Sequence, residues 1–203
     1  MVKQVISVVS KKTNIMAKNS DNLFTEGFRG TVGGNMTFRR RKSGKVIVSK
    51  RRGPSNIPPT ESQLQVRERF RIGSIYAKSV MADPANKKIY ADAATGDLTS
   101  YNLALRDAIK APVVHSIDAS GYAGLPGNKI VVRATDDFKV TGVRVSIRTS
   151  TGELVEEGNA VMQPTGLDWL YMTTSILDQF SGAVIRGTAF DLPLNEDSLE
   201  ITL

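Results

Sequence analysis

From residue 111 onward the hydrophobic positions fall on every second residue. Val143, Val145 and Ile147 alternate with Arg144, Ser146 and Arg148, the pattern of a strand with one buried and one wet face. The same period predicts strands over 112–117, 129–135, 142–149, 154–158, 168–173, 183–190 and 199–203. Turn chemistry separates them at Leu125-Pro126-Gly127-Asn128, Thr151-Gly152 and Asp191-Leu192-Pro193. A run of short strands over about 90 residues predicts an immunoglobulin-like β-sandwich at 111–203.

Between residues 60 and 110 the period changes. Leu64, Phe70, Ile75, Val80 and Met81 recur at roughly helical spacing, and Thr60 with Gln63 makes a capping box. This predicts a helix over 60–82, weakened at its middle by Gly73 by about 1 kcal/mol relative to Ala. Asp83-Pro84 ends it and opens a second helix, Asp as N-cap and Pro at the first helical position, to about Ala94. Gly96 breaks the pattern, and Thr99 or Ser100 caps a third helix to about Lys110.

Residues 1–26 show no sustained period. Val5, Ile6, Val8 and Val9 suggest a short strand, and residues 11–22 read as a polar extended arm. Gly27, Gly30, Gly33 and Gly34 then exclude a helix. Residues 35–41 and 45–50 read as a β-hairpin around Ser43-Gly44, and Pro54, Pro58 and Pro59 as a stiff connector. The expected organisation is α+β: a basic N-terminal arm with a β-hairpin (1–59), a helical middle (60–110) and an all-β immunoglobulin-like sandwich (111–203).

Charge sharpens this division. Residues 1–110 carry 21 Lys and Arg against 8 Asp and Glu, a net of +13, and residues 111–203 carry 6 against 12, a net of −6. Arg39, Arg40, Arg41, Lys42, Lys45, Lys50, Arg51 and Arg52 stand within 14 residues, and no acid occurs from Gly27 to Thr60. Cations this close repel one another within a Debye length of about 8 Å and call for counter-charge. These eight are the expected partner- or phosphate-contacting residues. The counter-charge is an acidic protein surface in an assembly or the phosphates of a nucleic acid; the bland alternative is a solvated hairpin. Only Phe38 interleaves with the run, which is poor material for a base-stacking platform.

Catalytic chemistry finds little to use. The chain has no Cys and one His, which excludes disulfides, thiolate metal sites, Cys nucleophiles and His-based metal clusters. His115 has Ser116 and Asp118 beside it, but neighbours in sequence on one strand cannot form a triad, because alternate side chains point to opposite faces. The glycine set lacks G-K-[ST] and is not a phosphate-binding loop of the Walker type. Asp136-Asp137 and Asp191…Asn195-Glu196, with Asp118, offer hard oxygen ligands for Ca²⁺, but Asp and Asn are also ordinary turn formers. The expectation is no catalytic residue, no cofactor and no metal. Glu68 with Arg71 is ordinary helix-surface pairing, and no helix-turn-helix spacing is evident. No apolar run approaches the roughly 18 residues that span a bilayer, and the N-terminus lacks a convincing signal sequence, so a soluble, unsecreted chain is expected.

Two stretches carry a resemblance. Residues 28–70 have a glycine-flanked strand, a basic hairpin, then Pro58, Thr60 and Gln63 followed, one register off, by Arg67 and Phe70. This resembles the opening P-x-T-x-x-Q-x-x-R-x-x-F pattern of uncharacterised proteins of Bacteroidetes and their phages. Residues 89–160 contain Tyr101-Asn102-x-Ala104-x-x-Asp107 and then Thr135-Asp136-Asp137-x-x-Val140. That is similar to a bacterial pattern in which a helical segment precedes an immunoglobulin-like domain. The resemblance implies the domain layout and a phage or mobile-element setting; it brings no activity and no functional residues. The expected function is a structural component of a large assembly, a bacteriophage virion protein of capsid or tail, made in the host cytoplasm and not an enzyme. Its partners would be other structural proteins in a homo- or hetero-oligomer, with no membrane and no small-molecule substrate. The alternative is a nucleic-acid-binding protein using the basic hairpin on phosphates.

Overall fold

The structure is a computed structural model that describes residues 17–19 (backbone only), 27–54 and 56–203. It is α+β, with three helices and three antiparallel four-stranded sheets among the described residues. The chain divides into two units: residues 1–59 with 95–97, and residues 60–94 with 98–203.

The first unit holds β1 (Ala17–Asn19), β2 (Gly30–Val32), β3 (Met36–Arg40) and β4 (Val46–Lys50) in the order β1-β4-β3-β2. The hairpin expected around Ser43-Gly44 is β3–β4. Its turn is closed by Gly44 N–H donating to Arg41 O and Arg41 N–H to Lys45 O, and Gly44 supplies the required left-handed φ of 84°. Two strands flank it: β2, the glycine-flanked strand that the resemblance implied, pairs with β3, and β1, absent from the sequence reading, pairs with β4. Within the stretch expected as an extended arm (11–22), Ala17–Asn19 pairs with β4, and the remaining residues lie outside the described ones. The strand expected at Val5–Val9 lies outside the described residues.

The second unit opens with α1 (Glu61–Ala82), α2 (Pro84–Ala93) and α3 (Ser100–Ile109). Their ends are fixed locally. Thr60 Oγ1 accepts from Gln63 N–H while Gln63 Oε1 accepts from Thr60 N–H; Asp83 caps Ala85 N–H; Thr99 caps Asn102 N–H. Ala77, Val80, Tyr90, Leu103 and Ala104 form the buried helical core. Gly73 lies where α1 meets α3: a Cβ there would stand 2.9 Å from Ile109 Cγ1 and 3.1 Å from Leu105 Cδ1. Its propensity cost is therefore the price of close helix approach.

Eight strands follow: β5 (Val113–Asp118), β6 (Lys129–Thr135), β7 (Gly142–Arg148), β8 (Leu154–Asn159), β9 (Val161–Met162), β10 (Asp168–Met172), β11 (Val184–Phe190) and β12 (Glu196–Thr202). They form sheets ordered β5-β6-β10-β9 and β12-β11-β7-β8. Ile130, Val132 and Trp169 of the first sheet share one core with Val143, Val145, Ile147 and Ile185 of the second. Beyond shifts of one residue at strand ends, two features differ from expectation. β9 is two residues long, too short to display a period. The last strand begins at Glu196 rather than residue 199, because Glu196, Asp197 and Ser198 look like turn residues but pair with Phe190, Ala189 and Thr188. The Asp197 carboxylate is used there, accepting the Val114 N–H at 2.9 Å.

Phe138 of the β6–β7 loop and Leu192 of the β11–β12 loop, both in the β-rich part β5–β12 (the β-unit), pack against the helical core. Helices and strands of this unit are thus joined by shared apolar contacts.

Candidate functional site

The eight cations do not form one stripe. Residues paired across β3 and β4 share a face, so Phe38, Val48, Arg40 and Val46 lie on one side and Arg39 and Ile47 on the other. Phe38 is 6% exposed and meets Phe28 edge-on, ring centroids 5.5 Å apart. The apolar face is anchored there, and the arginines leave from both faces. Arg39, Arg40, Arg41, Lys42 and Lys45 gather at the turn end of the hairpin; Lys50, Arg51 and Arg52 lie at the other end, about 15 Å away along five-residue strands. All eight are exposed.

Among the described residues only Arg41 of the eight reaches a carboxylate, Asp97 at 3.5 Å. Asp97 also accepts from Ser43, from N–H at 2.8 Å and from the hydroxyl at 3.0 Å. The Ser43 N–H, then its hydroxyl and Arg41, hold the Asp97 carboxyl below the usual carboxylate range. The remaining cations have no ion pair among the described residues, so the sheet presents uncompensated positive charge at both ends.

A second exposed feature lies on α1. Every residue from 61 to 72 is exposed, including Leu64, Val66, Phe70 and Ile72, whose exposures run from 45% to 61%. Burial begins at Gly73. The exposed segment 61–72 would be marginal as a helix on its own and is carried by the packed second half of α1.

The residues around His115 depart from the ideal strand. A bulge between Val114 and Ser116 breaks the alternation, and His115 and Ser116 are both exposed. The alternation argument against a triad does not hold here. The observed partners lead elsewhere: His115 Nε2 bonds Thr135 Oγ1 at 2.6 Å, and Asp118 accepts from Ser120 N–H at 3.0 Å.

The acidic turn residues separate. Asp137 pairs with Lys110 at 2.7 Å and Arg106 at 3.4 Å, and Lys110 draws its carboxyl below the ordinary range. Asp118 stays at its own turn, and Glu196 is exposed on β12. Asp136 and Asp191 instead meet Asp107, which the sequence reading gave no role. One carboxylate oxygen from each of Asp107, Asp136 and Asp191 lies within 4.8 Å of the other two. Asp107 comes from the last turn of α3, Asp136 from the β6–β7 loop and Asp191 from the β11–β12 loop.

Within this cluster Asp107 is 1% and Asp191 0% exposed. Tyr90 O–H donates to Asp107 Oδ2 at 2.5 Å and bonds the Tyr76 hydroxyl at 2.9 Å. Phe138 and Lys139 N–H groups donate to Asp136 Oδ2, both at 2.9 Å. Asn195 donates its backbone N–H to Asp191 Oδ1 at 2.6 Å and its side-chain amide to Oδ2 at 2.7 Å. Leu194, between them, has a left-handed φ of 69°. Burial pushes the Asp107 carboxyl up to about 7 and raises Asp191 as well, against the lowering effect of the Tyr90 and Asn195 hydrogen bonds and with the neighbouring carboxyls adding to the rise.

No protein-family model and no curated protein matches the chain. Two solved structures share partial likeness. The crystal structure of CopC from Methylosinus trichosporium OB3b is 15% identical, over 44% of this chain and 87% of that one, with a TM-score of 0.33. An engineered protein from the Northeast Structural Genomics Consortium is 22% identical, over 45% of this chain and 20% of that one, with a TM-score of 0.32. At these scores neither carries an argument about this chain. Among the described residues no helix is long and apolar enough to cross a membrane.

Proposed function

We propose that this chain is a structural subunit of a large assembly, with the bare start of α1 and the basic sheet as its contacts to neighbouring subunits. The observation that carries the reading is the run of exposed residues 61–72 with Leu64, Val66, Phe70 and Ile72 in it. Exposed apolar side chains grouped on one element mark an interaction surface, and burial against a neighbour would stabilise a helix segment that its own chain leaves uncovered. A bacteriophage virion is the assembly that the sequence resemblance implies.

The β-unit fits a scaffold role. We infer an immunoglobulin-like sandwich: the order β5-β6-β10-β9 and β12-β11-β7-β8 reads as strands A-B-E-D and G-F-C-C′. The buried Trp169 lies on β10, the E position, and the chain has no Cys for a B–F disulfide, so two features of antibody domains are missing.

The alternative, nucleic-acid binding, is favoured by one observation: the basic residues other than Arg41 lack carboxylate partners among the described residues. Phosphates would supply the counter-charge with a steep salt dependence.

The test is incorporation. In native particles purified from the source organism, the chain should co-sediment with other structural proteins. Charge reversal at Arg39, Arg40, Arg41 and Lys42, and separately Val66→Asp with Phe70→Asp, should each block incorporation while the circular dichroism of residues 60–203 is kept. Unchanged incorporation of both variants rejects the reading. Assembly intact, with loss of salt-sensitive DNA binding, establishes the alternative.

A further inference from the structure

The structure assigns a Ca²⁺ site to Asp107, Asp136 and Asp191, at the junction of α3 with the β6–β7 and β11–β12 loops.

Three observations converge on it. The first is geometric: the ligating oxygens lie within 4.8 Å of one another. Two oxygens bound to one Ca²⁺ at 2.3–2.6 Å can stand at most about 5 Å apart, so the spacing of the three is compatible with a shared ion. The second is an orphaned donor set. Asp107 Oδ1 and Asp136 Oδ1 are sealed from solvent and receive no hydrogen bond from an N–H or hydroxyl donor among the described residues, although the other oxygen of each is well bonded; the neighbour that Asp107 meets instead is the Asp136 carboxyl. Asp107 is 1% exposed, and a buried carboxylate oxygen without a donor is a costly arrangement unless something positive meets it.

The third observation is the missing counter-charge. No Lys or Arg pairs with Asp107, Asp136 or Asp191 among the described residues. The two nearest in sequence, Arg106 and Lys110, are held by Asp137. Asp107 also sits in the last turn of α3, where the helix dipole is negative and disfavours an acid. The other polar groups facing the cluster are the Tyr90 hydroxyl from α2, with Tyr76 from α1 behind it, and the Asn195 amide. None carries a positive charge. A hard divalent cation supplies what the protein does not, and water would complete its coordination.

A proton shared between Asp107 and Asp136 is the competing arrangement, and the two differ in what they respond to. The full chain, stripped with chelator and dialysed, is titrated with CaCl₂ at pH 7.5 by calorimetry, with MgCl₂ as control, and its thermal midpoint is measured with and without Ca²⁺. Expected are one saturable site, filled below about 1 mM Ca²⁺, and a midpoint raised by Ca²⁺ but not by equal ionic strength of KCl. Asp136→Asn and Asp191→Asn should each weaken binding at least tenfold and abolish the midpoint shift, whereas Asp118→Asn should not. Wild-type protein alone decides the matter if those variants do not fold: absence of saturable heat and of any midpoint shift overturns the site. A Ca²⁺ response retained in both Asp136→Asn and Asp191→Asn overturns it too, because the ion then lies elsewhere.

Discussion

The Tyr90 hydroxyl donates to Asp107 Oδ2 at 2.5 Å, with the tyrosine 0% and the aspartate 1% exposed. Burial raises the Tyr90 phenol above its ordinary range, so it stays protonated and remains a donor. The pair joins α2 to α3 and turns the second Asp107 oxygen toward the β-unit loops. Tyr90→Phe keeps the ring, which stacks on Phe138 with centroids 4.6 Å apart, and removes only the donor. The unpaired carboxylate oxygen should then cost about 1–3 kcal/mol, read as a lowered urea midpoint with unchanged slope. An unchanged midpoint would mean that water replaces the hydroxyl.

Stability should fall as pH rises from about 4 to about 7 in Ca²⁺-free buffer. The folded Asp107 carboxyl is raised to about 7, above its unfolded value of 3.8, with burial as the largest cause, and Asp191 is raised in the same direction. Over that window the folded chain holds a proton that the unfolded chain has released, so raising the pH favours unfolding. Asp97, Asp118, Asp137 and Asp168 are lowered, and their contribution is lost only at pH below this window. Urea titrations at several pH values, with and without Ca²⁺, check the sign. Flat stability from pH 4.5 to 7 would contradict it.

Gly124→Ala should be strongly destabilising. Gly124 has a φ of 75°, and a Cβ built there stands 2.2 Å from the Leu177 carbonyl oxygen, a backbone atom that cannot swing away. The same carbonyl region is tied to Gly124 by the Leu177 N–H donating to Gly124 O at 2.8 Å. Left-handed strain plus the backbone clash should exceed about 2 kcal/mol. Gly127→Ala has a similar φ of 81° but open space around it, so its loss should be smaller. Thermal melts of the two variants, compared directly, test the ranking.

Trp169→Ala should cost about 3–5 kcal/mol, since the side chain is 5% exposed within the common core of the two sheets. Its indole N–H has no acceptor, so the loss is one of packing alone. Trp169→Phe should recover more than half of the midpoint shift in chemical denaturation.

The fragment 60–203 should unfold cooperatively and at higher urea than the fragment 111–203. Cutting at residue 111 uncovers Phe138 and Leu192, which pack on the helical core, and removes Asp107 from the carboxylate cluster. Equal midpoints for the two fragments would show that these contacts add nothing.

What the sequence determined by itself was local. The Thr60–Gln63 box, the Asp83 and Thr99 caps and the period-two runs at 129–135 and 142–148 set elements where side chain and backbone interact within a few residues. Charge density at residues 39–52 was equally legible, because it depends only on composition. Tertiary structure decided the rest. β1 and β9 exist because a neighbouring strand offers hydrogen bonds, which no period in three or two residues can announce. Gly73 reads as a defect in an isolated helix and becomes the place where α3 approaches. Asp136 and Asp191 were visible as turn formers and as hard oxygen ligands, but the partner that joins them, Asp107, was not. Asp107 is a motif residue of a helix with no role of its own until the fold closes α3 onto two loops far along the chain. Burial then raises the Asp107 and Asp191 carboxyls above the ordinary carboxylate range, an effect that depends on surroundings in space and not on order in sequence.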